Sequence, residues 1–310
     1  MYLSFFGLNE NPFNMTPDPR FLYMGSGHRE VLDQFQRGPR ERGGFIVLTG
    51  EAGTGKTTLL HALQQRLDED TAVSYVFNTA LSFDGIVECL LEDLEIAKPE
   101  ESPERRLAAL SRFLLERERA GQKTIIIIDE AQNLDAARLE RISLLTSAEG
   151  APSKLLEVLL VGQPELAAKI DHPDLRHIRR RIRLRCHVRP LGTGDTHEYI
   201  RTRLQVAGAP DMALFTDRAI RRIARYSGGI PRLINVLADH CLLFAYADQK
   251  RRIDRSIVSQ AIAYLDETMR APRRVLVAGD LGFWDRFGWL FAAAGVALAS
   301  AAVGFLLTSF

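Results

Sequence analysis

Gly50-Glu51-Ala52-Gly53-Thr54-Gly55-Lys56-Thr57 is the stretch from which the rest of the chain is read. In this Gly-x-x-x-x-Gly-Lys-Thr spacing the glycines let backbone N–H groups turn inward on a phosphate. The lysine reaches the β and γ phosphates, and the Thr57 hydroxyl holds a magnesium ion. Both flanks suit that use. Residues 45 to 49 are a short apolar, β-rich run ending at Gly50, and Leu59, Leu60 and Leu63 mark a helix after Lys56, whose N-terminal dipole would face the anion. Gly50, Glu51, Ala52, Gly53, Thr54, Gly55, Lys56, Thr57 and Thr58 are the expected nucleotide contacts, with ATP and Mg2+ as the cofactors.

Outward from the loop, strand and helix patterns alternate. Strands are expected at 73 to 77, 124 to 128, 157 to 161 and 182 to 188, and helices at 28 to 37, 83 to 94, 103 to 119 and 138 to 148. Ile125-Ile126-Ile127-Ile128 and Val158-Leu159-Leu160-Val161 lack alternation, the mark of strands covered on both faces of a parallel sheet. The fold class is therefore α/β, a P-loop parallel sheet between helices. After Pro190-Leu191 the pattern turns wholly helical, at 194 to 206, 216 to 226, 231 to 247 and 254 to 268. The organisation expected is an arm and helix at 1–42 packing on the ATPase core, the core at 43–191, a helical lid at 192–269, a linker at 270–286 and a transmembrane helix at 287–310. The prolines of the first 27 residues rule out a long regular element there.

Two further pieces carry chemistry. The isoleucine run ends in Asp129-Glu130, and ligands of open α/β sheets gather at strand C-termini. Asp129 would reach the magnesium beside Thr57, and Glu130 would orient or deprotonate the attacking water. In the helical part, Gly228-Gly229-Ile230-Pro231-Arg232 combines two hinge-permitting glycines, a proline suited to a first helical turn, and an arginine projecting from the helix start. Arg232 is expected to touch the γ phosphate.

Composition narrows the rest. The 40 basic and 39 acidic residues leave a formal charge of +1, so no overall field marks a nucleic-acid binder. Cys89, Cys186 and Cys241 are far apart and lack metal-site spacing, which suits a reducing compartment. The first residues lack the basic start and apolar core of a signal peptide. Residues 287 to 310 contain no charge and no proline, a run long enough to cross a bilayer. Arg273, Arg274 and Arg286 precede it, which places the nucleotide domain on the cytoplasmic side of an inner membrane.

Taken together, the motifs resemble the AAA+ superfamily. Met1-Tyr2-Leu3-Ser4-Phe5-Phe6-Gly7-Leu8, Asn11-Pro12-Phe13, Pro17-Asp18-Pro19-Arg20, His28-Arg29-Glu30, Asp129-Glu130-Ala131-Gln132-Asn133-Leu134 and Leu160-Val161-Gly162-Gln163-Pro164-Glu165-Leu166 are similar to the ExeA-type ATPases of general secretion, pilus and exosortase-linked export. The resemblance implies a sheet of order 5-1-4-3-2 with a helical lid, and a homo-oligomer, such as a hexamer, in which a neighbour's arginine completes each site. It also implies inner-membrane partners in an envelope export system. By position Gln163 would be the sensor, and Arg176 or Arg181 the finger. Ser147 stands where an asparagine is expected in these relatives. A rival reading is a DNA-linked ATPase of the transposition-regulator type. The arginines between 176 and 185 motivate it and the apolar tail opposes it, so no nucleic-acid partner is expected. A third, a scaffold that binds ATP without hydrolysing it, is opposed by Glu130.

Overall fold

The computed structural model describes residues 2–16, 18–37, 43–96, 102–146 and 156–270. Residues 1 to 262 pack as one compact unit; of a second, 263 to 310, the described part is helical to Arg270. Ser147 and the apolar run from 287 to 310 lie outside the described residues. Among the described residues no helix is long and apolar enough to cross a membrane.

Five strands, β1 (Gly44–Gly50), β2 (Ala72–Val76), β3 (Thr124–Ile128), β4 (Glu157–Gly162) and β5 (Ile182–Val188), form one parallel sheet in the order β2-β3-β4-β1-β5. This is the order the resemblance implies, read from the opposite edge. The isoleucine run shows why alternation is missing. Ile126 and Ile128 point into a core shared with α4 (Phe83–Asp93), α5 (Pro103–Arg119) and α6 (Ala136–Leu145), while Ile125 and Ile127 point into another shared with α2 (Ser26–Arg37) and α3 (Lys56–Gln64). Each isoleucine is buried, and burial of such a side chain stabilises by roughly 1.5–3 kcal/mol. The register sets Thr49 beside Gly162 and Ile128 beside Leu160, so the ends of β1, β3 and β4 come level along one edge.

Helix starts follow local capping. Ser82, Ser102, Asp135 and Thr216 each accept a hydrogen bond from the backbone N–H three residues on, satisfying a donor that the first turn leaves unpaired. Asp135 brings the start of α6 forward to Ala136 from the expected 138. The helical part comprises α9 (Thr193–Val206), α10 (Asp217–Ser227), α11 (Pro231–Ala247) and α12 (Arg255–Arg270).

The first residues form α1 (Tyr2–Phe6) and an irregular arm. The reading of 1–42 as one piece on the ATPase core needs correcting: α2 lies on the sheet, against β5 and α3, but the arm lies on the helical part. Tyr2 and Asn11 donate to Asp239 of α11 at 2.6 and 3.2 Å, and the Phe13 ring meets Phe215 edge-on. The physical reason is Arg203 of α9, buried to 7% exposure. Its guanidinium donates to the carbonyls of Pro12 and Asn14 and to the Tyr199 hydroxyl, and it stacks over Phe21. An arm without a β-ladder needs such partners for its carbonyls. Arg203→Ala is therefore expected to lower stability by about 2–4 kcal/mol and to expose the arm to protease. Urea unfolding and limited proteolysis check this; an unchanged midpoint with a protected arm would count against the staple.

Candidate active site

The loop from Gly50 to Gly55 joins β1 to α3. Thr54 closes it, donating from backbone N and from Oγ1 to the Glu51 carbonyl at 3.2 and 2.8 Å. Gly55 caps α3 in the left-handed region at φ 94°, leaving the first N–H groups of the helix without side-chain partners. Those donors and the helix dipole suit a phosphate. Lys56 is buried to 6% exposure and donates from Nζ to the carbonyls of Gly50 and Glu51 at 2.8 and 3.1 Å. Burial pushes its ammonium below the usual lysine range, while Glu130 and then Asp129 pull the other way. A triphosphate bound here would return to that ammonium the counter-charge that burial denies it. Ala52 and Thr57 are exposed at the turn, and Thr58 is partly buried behind them.

Asp129 follows β3 directly and is 8% exposed. Its Oδ2 accepts from Thr57 Oγ1 and from the Tyr75 hydroxyl, both at 3.3 Å, and its Oδ1 accepts from the Glu130 backbone N–H at 2.9 Å. Hard oxygen donors from two elements thus sit together beside the phosphate loop. That donor set fits Mg2+, which takes one or two protein oxygens and completes its shell with phosphate and water. Glu130 is exposed and holds φ 51°, a left-handed conformation that costs an L-residue of order 1–3 kcal/mol and is found where surrounding contacts enforce it. Gln132 Nε2 donates to Glu130 Oε2 at 2.5 Å, and Gln163 Nε2 donates to the same oxygen at 3.4 Å. Gln163, the first residue past β4, therefore lies beside Glu130.

The helical part reaches the loop through the start of α11. The Arg232 backbone N–H donates to the Gly53 carbonyl at 3.3 Å. Gly53 has φ 81°, and a Cβ there would lie 2.6 Å from Arg232 Cβ, so the arginine packs directly on the loop. Gly229 allows this approach: at φ 78° it donates no side chain to a space where a Cβ would come within 2.0 Å of the Leu191 carbonyl. Its own carbonyl accepts from Leu191 N at 2.9 Å, tying the end of the sheet part to the start of α11.

The arginine cluster does not act as one group. Arg181 Nη1 donates to the carbonyl and the hydroxyl of Ser143 at 2.8 and 2.9 Å, Arg183 donates to the Gly43 carbonyl, and Arg185 pairs with Asp171. Arg176 opens the short helix α8 (Arg176–Arg179), and it, Arg179 and Arg180 are exposed. Among the described residues no hydrogen bond joins Arg176 or Arg181 to the phosphate loop.

Three residues by the site were given no role from the sequence: Tyr75 stood in no motif, and His28 and Gln132 only in stretches that carry the resemblance. Tyr75 sits on edge strand β2 and stacks on Phe77 with ring centroids 3.9 Å apart; burial, with the Asp129 charge behind it, raises its hydroxyl far above the usual tyrosine range. His28, at the start of α2, is 3% exposed, and its Nε2 lies 3.0 Å from the Thr54 carbonyl. A carbonyl only accepts, so Nε2 carries the proton, and burial holds the ring below the usual histidine range and neutral. Gln132 is the third. Their hydrogen bonds in the fold, to Asp129, Thr54 and Glu130, give them a place at the site.

A protein-family model described as an AAA domain matches residues 39–170. General secretion pathway protein A of Aeromonas hydrophila is 38% identical over 301 residues, covering 94% of this chain and 54% of that protein. The chain thus spans about half the length of that relative. Among solved structures, Cdc6p of Pyrobaculum aerophilum is similar at TM-score 0.60 and 19% identity, over 80% of this chain and 71% of that one. The RuvB Holliday junction branch migration motor of Thermotoga maritima is similar at TM-score 0.53 and 17% identity, over 79% and 73%. At these identities the likeness to both is one of fold.

Proposed function

The chain is a relative of general secretion pathway protein A with an AAA+ P-loop fold, and from that premise we propose that it binds ATP with Mg2+ and hydrolyses it to drive assembly or operation of a cell-envelope export system. The observation that carries the reading is the convergence of Lys56, Thr57, Asp129 and Glu130, from two segments of chain, on the C-terminal edge of the sheet. A fold alone does not fix a function, but an arrangement that brings these groups together supports the reading. Backbone N–H groups and Lys56 would hold the triphosphate, and Thr57 and Asp129 would hold Mg2+, which would neutralise charge on the phosphates. Glu130 takes a proton from water as its oxygen bonds to the γ phosphorus and the bond to the departing ADP oxygen breaks. Arg232, on the loop, would sense the γ phosphate and couple its loss to the helical part through the Gly228-Gly229 hinge.

The finer parts rest on the resemblance and on sequence. We place the chain in the inner membrane by residues 287 to 310, with a homo-oligomer supplying Arg176 or Arg181 to a neighbouring site. Arg176 is the better finger, because Arg181 is engaged with Ser143. The DNA-linked alternative has less support, since Arg181, Arg183 and Arg185 are committed within the chain. The test is phosphate release from ATP and Mg2+ by the purified chain, alone and with inner-membrane vesicles, beside carbonate extraction of cells expressing it. Release that needs Mg2+, from a protein retained in the membrane pellet, supports the proposal. No release above background sinks the enzymatic part, and full extraction into the soluble fraction sinks the anchor.

A further inference from the structure

Glu130 stands at the lip of the site on a left-handed backbone, yet its carboxylate is aimed, and the aiming has a visible cause. Gln132 lies in the short 3-10 turn Ala131–Asn133 that follows. Its side-chain Oε1 accepts from the backbone N–H of Gln163 at 3.1 Å. A backbone N–H can only donate, so it fixes which end of the amide faces β4 and leaves Nε2 facing Glu130. Nε2 then donates to Glu130 Oε2 at 2.5 Å. The turn itself is tied down by Lys169 of α7 (Pro164–Ile170), whose Nζ donates to the carbonyls of Gln132 and Leu134.

Gly162 makes room for this. A Cβ on Gly162 would lie 2.5 Å from Gln132 Oε1, closer than real Cβ atoms approach an oxygen. Any side chain there would displace the amide from the Gln163 N–H.

We propose that Gln132, seated by the Gln163 backbone N–H over the bare Cα of Gly162, is a positioning residue that aims the Glu130 carboxylate at the water attacking ATP. The inference rests on the hydrolytic reading above. The amide makes no hydrogen bond with the loop, so it acts on the rate through Glu130 and leaves nucleotide affinity alone. A group that fixes a general base within hydrogen-bond reach of its water contributes to turnover, because small misplacements of that base cost rate steeply.

The test compares the full chain with Gln132→Ala, Gly162→Ala, Glu130→Gln and the Gln132→Ala, Glu130→Gln pair. Gln132→Ala is expected to lower kcat by about 10–30-fold with KM for ATP within about twofold of the wild type. Gly162→Ala should reproduce part of that loss by displacing the amide. In the Glu130→Gln background, Gln132→Ala should change the rate by less than about twofold, since groups acting through one another are not additive. Thermal melts show whether each variant folds. An unchanged kcat in Gln132→Ala overturns the proposal, and so does a full extra loss on top of Glu130→Gln. Were the wild type to release no phosphate, the hydrolytic reading would fail by itself. The positioning would then be decided by a crystal structure of the Gln132→Ala chain, where a Glu130 carboxylate in its present place overturns it.

Discussion

Lys56→Ala is expected to abolish ATP binding at millimolar nucleotide while leaving the protein folded. The ammonium is the buried positive charge of the loop, facing Glu130, Asp129 and Glu51. Without it, a triphosphate would bring its own negative charge against those carboxylates with nothing at that place to offset it. Charge-assisted hydrogen bonds to phosphate are roughly twice as strong as neutral ones, and losing two or three should cost about 3–5 kcal/mol, or roughly 10²–10³·⁵-fold in Kd. The fold should hold, because a buried ammonium carries a desolvation cost that its removal relieves, and removal of the side chain leaves space in which water can take its place at the Gly50 and Glu51 carbonyls. Titration with a fluorescent ATP analogue, with a melt of the ligand-free protein, reads both halves. Binding within about threefold of the wild type would remove Lys56 from the site.

The loop and the sheet were legible because their signals are local. A phosphate loop is one contiguous stretch whose glycines and lysine have no cheaper use, and Ile125 to Ile128 can be buried on alternate faces only if both faces are covered. The starts of α4 and α5 fell where expected, after Ser82 and Ser102, while the Asp135 cap set α6 two residues ahead of its expected start. What sequence could not supply was anything made by bringing distant segments together. Gln132 reads as a polar residue in a turn until β4 delivers the Gln163 N–H to it. Tyr75 reads as one more β-former until register sets it beside Ile127, with its hydroxyl on Asp129. The seat of the arm was missed for the same reason, since its partner Arg203 lies some 190 positions away and reads as an ordinary charge on a helix. Arg181 is the converse: the resemblance offered it as a finger, and its Ser143 partner came into view only in the fold.

Glu130→Gln should separate binding from turnover more cleanly than any other single change. The amide is isosteric with the carboxylate, and its oxygen can still accept from Gln132 Nε2, so the geometry of the turn is kept. What is lost is the ability to take a proton from water. General-base catalysis contributes about 10²–10⁴-fold, so steady-state hydrolysis should fall by about that factor. Affinity should move the opposite way, if at all: one negative charge fewer beside the site repels the triphosphate less, and ATP should bind as well as or slightly better than in the wild type. ATP carried intact through gel filtration by Glu130→Gln, against ADP carried by the wild type, would show the trap directly. Turnover within about threefold of the wild type would mean that another group activates the water. Gln163, already 3.4 Å from the Glu130 carboxylate, would be the first to examine, because its Nε2 could then orient a water without accepting its proton. The two outcomes differ again in solvent isotope effect: a base that takes the proton as the water attacks gives a normal effect on turnover, and an amide that only orients it gives little.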